Sequence, residues 1–221
     1  MTTQARLDTP PLGARVRRLF GPHERLISEL WRAAFFDLDA FVDQIHRWQP
    51  EARAILEVGC GEGAVAERLT ARYPNARYLG VDLCAAPGRL YEGDRAVFRR
   101  EPVQHTASQS PASFDLVVIA DVLHHVPQTE RPSLLGALRR ACRPGGLVVV
   151  KDWTKDRSLQ TALALFADRH ITQDEDVALM PPDAFRDLLA EAFGDAALTE
   201  RACIAPWRQN VAWAVRPDDD A

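Results

Sequence analysis

Two stretches of this chain, Leu116-Val117-Val118-Ile119 and Val148-Val149-Val150, are apolar at consecutive positions rather than at every second one. A strand with that pattern needs cover on both faces, a condition met by the central strands of a parallel sheet flanked by helices. Similar runs occur at Ile55 to Val58 and Tyr78 to Val81, with helix-period segments between them. In one such segment Leu134, Leu135, Leu138 and Cys142 share a face before Pro144-Gly145-Gly146 stops the helix. Alternating strands and helices of this kind predict an α/β fold, a Rossmann-like doubly wound sheet that is mostly parallel. Two final strands near 197–205 and 209–216, joined through Pro206 to Arg208, would give it an antiparallel last strand.

Before the first strand, Leu26, Ile27, Leu30, Trp31, Ala34, Phe35 and Leu38 recur at helical spacing, and Phe41, Ile45 and Trp48 continue the pattern. Residues 1–50 therefore read as an N-terminal helical cap. Residues 51–216 read as the core, with a capping insertion at 153–180 that turns helical near 157–170. A helix is expected from about Pro182 to Phe193, and an acidic tail at 217–221. Residues 101–113, interrupted by Pro102, Ser108, Ser110 and Pro111, read as a loop or a single turn.

Length fits one compact unit, because 221 residues fall below the ~250–300 at which single cores usually divide. A net charge of −4 supplies no global cationic field for phosphate backbones or anionic lipid, so neither nucleic acid nor membrane is an expected partner. Four cysteines without C-x-x-C spacing suggest neither a disulfide scaffold nor a metal site. With no apolar run of ~18–20 residues and a polar start, the expected location is the cytoplasm.

The stretch Ile55-Leu56-Glu57-Val58-Gly59-Cys60-Gly61-Glu62-Gly63 is a buried strand running into a glycine-rich turn and then a helix. Glycines at such a turn let backbone N–H groups approach a ligand closely. With Ala64 the string also satisfies a dinucleotide fingerprint, and Asp82 ends the second strand, so a nicotinamide-dependent oxidoreductase is allowed by pattern. Charge argues the other way: Glu57 and Glu62 oppose an anionic pyrophosphate but accept a ligand with an ammonium, a sulfonium and a ribose diol. S-adenosylmethionine has those groups.

On these residues the sequence resembles the class I S-adenosylmethionine-dependent methyltransferases of small-molecule type. The first motif matches Glu57 to Gly63, and the acidic ribose-binding position matches Asp82 in Leu79-Gly80-Val81-Asp82. The fourth-strand motif matches Ser113 to Val126, and the following helix-turn-strand matches Leu138 to Val150. The resemblance implies that Glu57 faces the methionine ammonium, with Gly59 and Gly61 against the methionine and ribose. It further implies that Asp82 holds the ribose, that Leu83 lies against adenine and that Ala120 offers a backbone carbonyl to the ammonium. Glu101 is the nearest acid for the adenine amino group, although Pro102 stands close to the expected place.

Methyl transfer from a sulfonium needs alignment and exclusion of water, with a general base only for a weakly acidic acceptor such as a hydroxyl. His125, His170 and Asp152 are the candidate bases, and no metal is called for. Asp121 and the His124-His125 pair read more readily as structural groups at a strand end. The expected acceptor is a small organic molecule, with O-methylation favoured slightly over N- or C-methylation. The nucleic-acid enzymes' Asn/Asp-Pro-Pro-aromatic turn is missing after the fourth strand, which reads Asp121-Val122-Leu123-His124. A module that binds S-adenosylmethionine without catalysis is the other alternative.

Overall fold

The protein is described here by a computed structural model covering residues 21–25, 35–155 and 178–217. The sheet begins with β1 (Ala54–Val58), after helix α1 (Leu38–Trp48), and continues through α2 (Ala64–Arg72), β2 (Arg77–Asp82) and β3 (Ala96–Arg100). Then come α3 (Val103–Gln109), β4 (Phe114–Ala120), α4 (Arg131–Ala141) and β5 (Cys142–Trp153). The chain closes with α5 (Pro182–Phe193), β6 (Leu198–Cys203) and β7 (Asn210–Val215). Seven strands lie in the order β3-β2-β1-β4-β5-β7-β6, parallel except for β7, which is antiparallel to both its neighbours.

The consecutive apolar runs explain the layering. Leu56, Val117, Ile119, Val148 and Val150 join α3, α4 and α5 in one core, while Ile55, Leu116, Val118, Leu147 and Val149 join α1 and α2 in the other. Each strand thus alternates between two hydrophobic layers, which is why Leu116 to Ile119 and Leu147 to Val150 are apolar at consecutive positions. Strand order reverses direction between β1 and β4, and in open α/β sheets ligands bind beyond the carboxyl ends of strands at that point.

Two expectations change. Residues 101–113 contain the seven-residue helix α3 rather than a loop, because Pro102 falls at the N-cap, where a missing N–H costs nothing, and Val103, Thr106 and Ala107 are buried. Pro144-Gly145-Gly146 does not separate helix from strand: β5 already begins at Cys142, and the irregularity is absorbed as a register shift opposite Phe114 and Leu116. The first apolar helical face, at Leu26 to Ala34, and the helix near 157–170 lie outside the described residues.

Asp115 ties the start of β1 to β4. Its buried carboxylate accepts the N–H groups of Arg53 (2.6 Å) and Ala54 (2.8 Å) and pairs with Arg143 Nε at 2.7 Å. Asp115→Ala leaves two backbone donors near the sheet interior unsatisfied and should cost about 3 kcal/mol of stability. Urea denaturation measures this, and a loss of under about 1 kcal/mol, the size of one ordinary hydrogen bond, would remove the tie from any account of the fold.

Candidate active site

The glycine turn leaves β1 at the switch point. Gly59 has φ +73, and a Cβ there would lie 2.2 Å from Cγ2 of Val122, so this position is closed to any side chain by the segment after β4. Gly61, at φ +50, is different: a Cβ there would meet nothing within 4 Å. The space above Gly61 leaves room for a ligand to approach the backbone.

Asp82 stands at the end of β2, facing this turn. Its Oδ2 accepts the Gly61 N–H and its Oδ1 the Cys84 N–H, both at 2.7 Å. The carboxylate therefore fixes the loop as well as facing the site, and each oxygen keeps acceptor capacity for a ribose hydroxyl. Next to it Leu83 is 44% exposed, an apolar surface at the end of β2.

Glu57 is 3% exposed, with Oε2 accepting a hydrogen bond from the Tyr78 hydroxyl. Burial pushes its carboxyl up to about 8, the bond to Tyr78 opposes that, and the charge of Asp82 adds to it. The acid expected to face a cation is thus held beneath the loop. Glu62 also differs from expectation, because Arg89 pairs with it at 2.6 Å and with Glu24 at 2.6 Å. The acidic character of the site rests on Glu57 and Asp82.

Glu101 lies between β3 and α3. Its Oε1 accepts from the Thr106 hydroxyl (2.7 Å), with Arg99 and His105 each 3.9 Å from the carboxylate. Ala120 ends β4, in register with Lys151, and is partly buried.

Beyond Ala120 the ends of β4 and β5 form a charged cluster. Asp121 adopts φ +55, a left-handed conformation rare without glycine. Lys151, 1% exposed, donates to both Asp121 oxygens at 2.6 Å, with Nζ 3.8 Å from the centre of the Phe36 ring. Lys151 is one of only two lysines in a chain with 27 Lys and Arg together. A compact ammonium suits a buried site shared by an aromatic face and one carboxylate.

Asp152, also buried, accepts the His124 N–H (3.0 Å), the Trp153 N–H (2.8 Å) and a bond from His124 Nδ1. Burial alone would raise this carboxyl, but the charge and hydrogen bond of His124, with Lys151 and the Trp153 N–H, hold it below the usual carboxylate range. An ionised carboxylate only accepts, so His124 Nδ1 carries the proton donated to Asp152. His125 is exposed, its ring centre 4.0 Å from that of His124, and His170 lies outside the described residues. Asp121, His124 and Asp152 also have donor atoms within 4.8 Å of one another, as a cation site needs. Lys151 already occupies Asp121, and His124 already occupies Asp152.

The sequence reading missed His124 as the partner of Asp152, and Tyr78 as the partner of Glu57. Register could have flagged Tyr78, since two strands of a parallel pair that both end in the loop region bring same-face residues together. Nothing local distinguishes His124 from His125, because only the turn after β4 decides which ring turns inward.

The residues present fit S-adenosylmethionine: Gly61, where a Cβ would meet nothing within 4 Å, an exposed apolar side chain at Leu83, and the acids Glu57 and Asp82, neither of which has a cationic side-chain partner among the described residues. The ubiquinone biosynthesis O-methyltransferase of Dechloromonas aromatica (strain RCB) is 33% identical over 102 residues, covering 43% of this chain and 42% of that protein. The chain thus spans less than half the length of that relative. Among solved structures, the S-adenosylmethionine-dependent methyltransferase SibL, in its apo form, is similar with a TM-score of 0.68 at 20% identity, over 95% of this chain and 63% of that one. The Burkholderia thailandensis 1,6-didemethyltoxoflavin-N1-methyltransferase, solved with 1,6-didemethyltoxoflavin and S-adenosylhomocysteine, reaches 0.63 at 16% identity over 92% and 88%. At such identities the likeness is one of fold. A family model described as a methyltransferase domain matches residues 30–194, and the chain belongs to that family, the class I S-adenosylmethionine-dependent methyltransferases.

Proposed function

We propose that this protein methylates a hydroxyl group of a small organic acceptor, with His124 as general base. The observation that carries this reading is the buried pair of His124, in the turn after β4, and Asp152, near the carboxyl end of β5. When bound, S-adenosylmethionine supplies an activated methyl group. Glu57, Gly59, Gly61, Asp82, Leu83, Glu101 and Ala120 form the surface that binds and orients it. Asp152 holds the His124 ring in the tautomer that presents Nε2, and Nε2 takes the acceptor's proton as the oxygen attacks. A weakly acidic hydroxyl requires this help, whereas an amine or a thiol needs less. The relative named as an O-methyltransferase supports the same choice of atom.

Domain roles follow from this reading. Residues 1–50 form the cap, and 51–216 the core with a capping insertion at 153–180. Residues 217–221 are a tail. Residues 20–50 and 153–180 supply the acceptor pocket. No helix among the described residues is long and apolar enough to cross a membrane. We place the protein in the cytoplasm, acting on small molecules rather than nucleic acid or lipid.

The test is incubation with S-adenosylmethionine and a panel of hydroxylated, amino and thiol acceptors, with S-adenosylhomocysteine and methylated product followed by mass spectrometry. Methyl ethers are the expected products. Turnover confined to amines would overturn the oxygen assignment, and binding without turnover on any acceptor would identify a non-catalytic module.

A further inference from the structure

Glu57 points toward the layer covered by α2 and is surrounded on every side that packs on it. From β2 come Tyr78 and Asp82, from the loop Cys60, from β4 the apolar Val118, and behind Tyr78 stands the Tyr91 ring. Among the described residues Glu57 meets no lysine, arginine or histidine. Its one hydrogen bond is from the Tyr78 hydroxyl to Oε2, leaving Oε1 for a ligand. A carboxylate at 3% exposure with no cation beside it is costly to keep charged, and the group holds its proton instead. Other acids of the site differ in this respect. Asp82 has two backbone N–H donors, Asp152 has His124, and Glu62 has Arg89.

We propose that Tyr78 is a positioning residue for the cofactor-binding acid, and that Glu57 is neutral in the free protein and ionises only as the ammonium of S-adenosylmethionine arrives, expelling one proton to solvent. The proton on the Glu57 carboxyl leaves, the carboxylate forms an ion pair with the incoming ammonium, and Tyr78 continues to donate to Oε2. Charge balances, since the site gains one negative charge as it gains one positive ligand group. The inference rests on the cofactor reading and adds a proton to it. Burial acts in the same direction, lifting the Glu57 carboxyl to about 8. The free acid is then protonated below that pH, so cofactor affinity rises with pH up to about 8 and levels off above it. Below the plateau each pH unit costs about tenfold in affinity.

The experiment is calorimetric titration of the full chain with S-adenosylhomocysteine, which carries the same ammonium, across pH 6 to 9 in buffers of different ionisation enthalpy. Release of about one proton per ligand at pH 7 is expected from the wild type. Glu57→Gln should abolish both the release and the pH slope over this range. Tyr78→Phe should weaken binding by about tenfold, the loss expected for a hydrogen bond to a charged group. It should also move the plateau to higher pH, because the bond from Tyr78 is what restrains the Glu57 carboxyl. Titration of the ligand's own amine is common to all three proteins and cancels in the comparison. Tight binding with no proton released by the wild type overturns the inference and leaves the cofactor reading standing. A plateau that stays in place in Tyr78→Phe removes the positioning role of Tyr78. Failure of S-adenosylhomocysteine to bind at any pH would instead sink the cofactor reading itself.

Discussion

His124→Ala should lower kcat by about 10²–10⁴-fold, the usual contribution of a positioned general base, while S-adenosylhomocysteine binds as tightly as to the wild type. The reason is geometric. His124 Nδ1 is tied to the buried carboxylate of Asp152, which fixes the orientation of the ring. Asp152→Asn keeps an oxygen able to accept from Nδ1 but removes the charge that stabilises a protonated imidazole, so its loss should be smaller and confined to kcat. His125→Ala is the control: the residue is exposed and its ring lies tilted against that of His124, and its removal should leave most of the activity. Steady-state kinetics on an accepted hydroxyl substrate, with melting temperatures to confirm folding, separates these cases. If His124→Ala turns over normally while His125→Ala does not, the base is His125 and the buried pair is structural.

Asp82→Ala should raise the dissociation constant for S-adenosylhomocysteine by about 10² or more, since the two charge-assisted hydrogen bonds its carboxylate would accept from the ribose hydroxyls, at roughly 1.5–3 kcal/mol each, are lost. The same carboxylate also accepts the Gly61 and Cys84 N–H groups, both at 2.7 Å, so the loss acts twice. The ribose loses its carboxylate, and the glycine turn loses the anchor that shapes it. Asp82→Asn should be intermediate: its amide oxygen can accept one of the two N–H groups, but its NH₂ faces a second donor and cannot accept it. Calorimetry gives the affinities directly. A dissociation constant within a factor of two of wild type in Asp82→Ala would mean the ribose is held elsewhere.

Much of the sheet was legible because its signal is local. Phe114–Ala120 and Pro182–Phe193 appear as the apolar run and the proline-initiated periodic segment predict. In each, the residues that report burial are contiguous or lie one helical turn apart. The helix at Val103–Gln109 was not legible because proline and serine read as breakers, and only the packing of Val103 and Ala107 beneath α4 shows that they cap rather than interrupt it. Likewise the acid in the glycine turn, Glu62, looked unbalanced in sequence, because its partner Arg89 lies 27 residues away.

The sequence by itself determined the strand pattern, the glycine turn and the two acids, Glu57 and Asp82, that flank it. Those are statements about single positions: a residue's size, its charge, or its freedom to adopt positive φ. Tertiary structure alone decided which groups are partners. Tyr78 reaches Glu57 and Gly61 reaches Asp82 across 21 residues, and His124 reaches Asp152 across 28. Such pairs depend on strand register and on the direction a turn leaves the sheet, and both are set by burying the two apolar layers together. A single residue carries no record of that choice, so the sequence marked the acids while the fold assigned what each one holds.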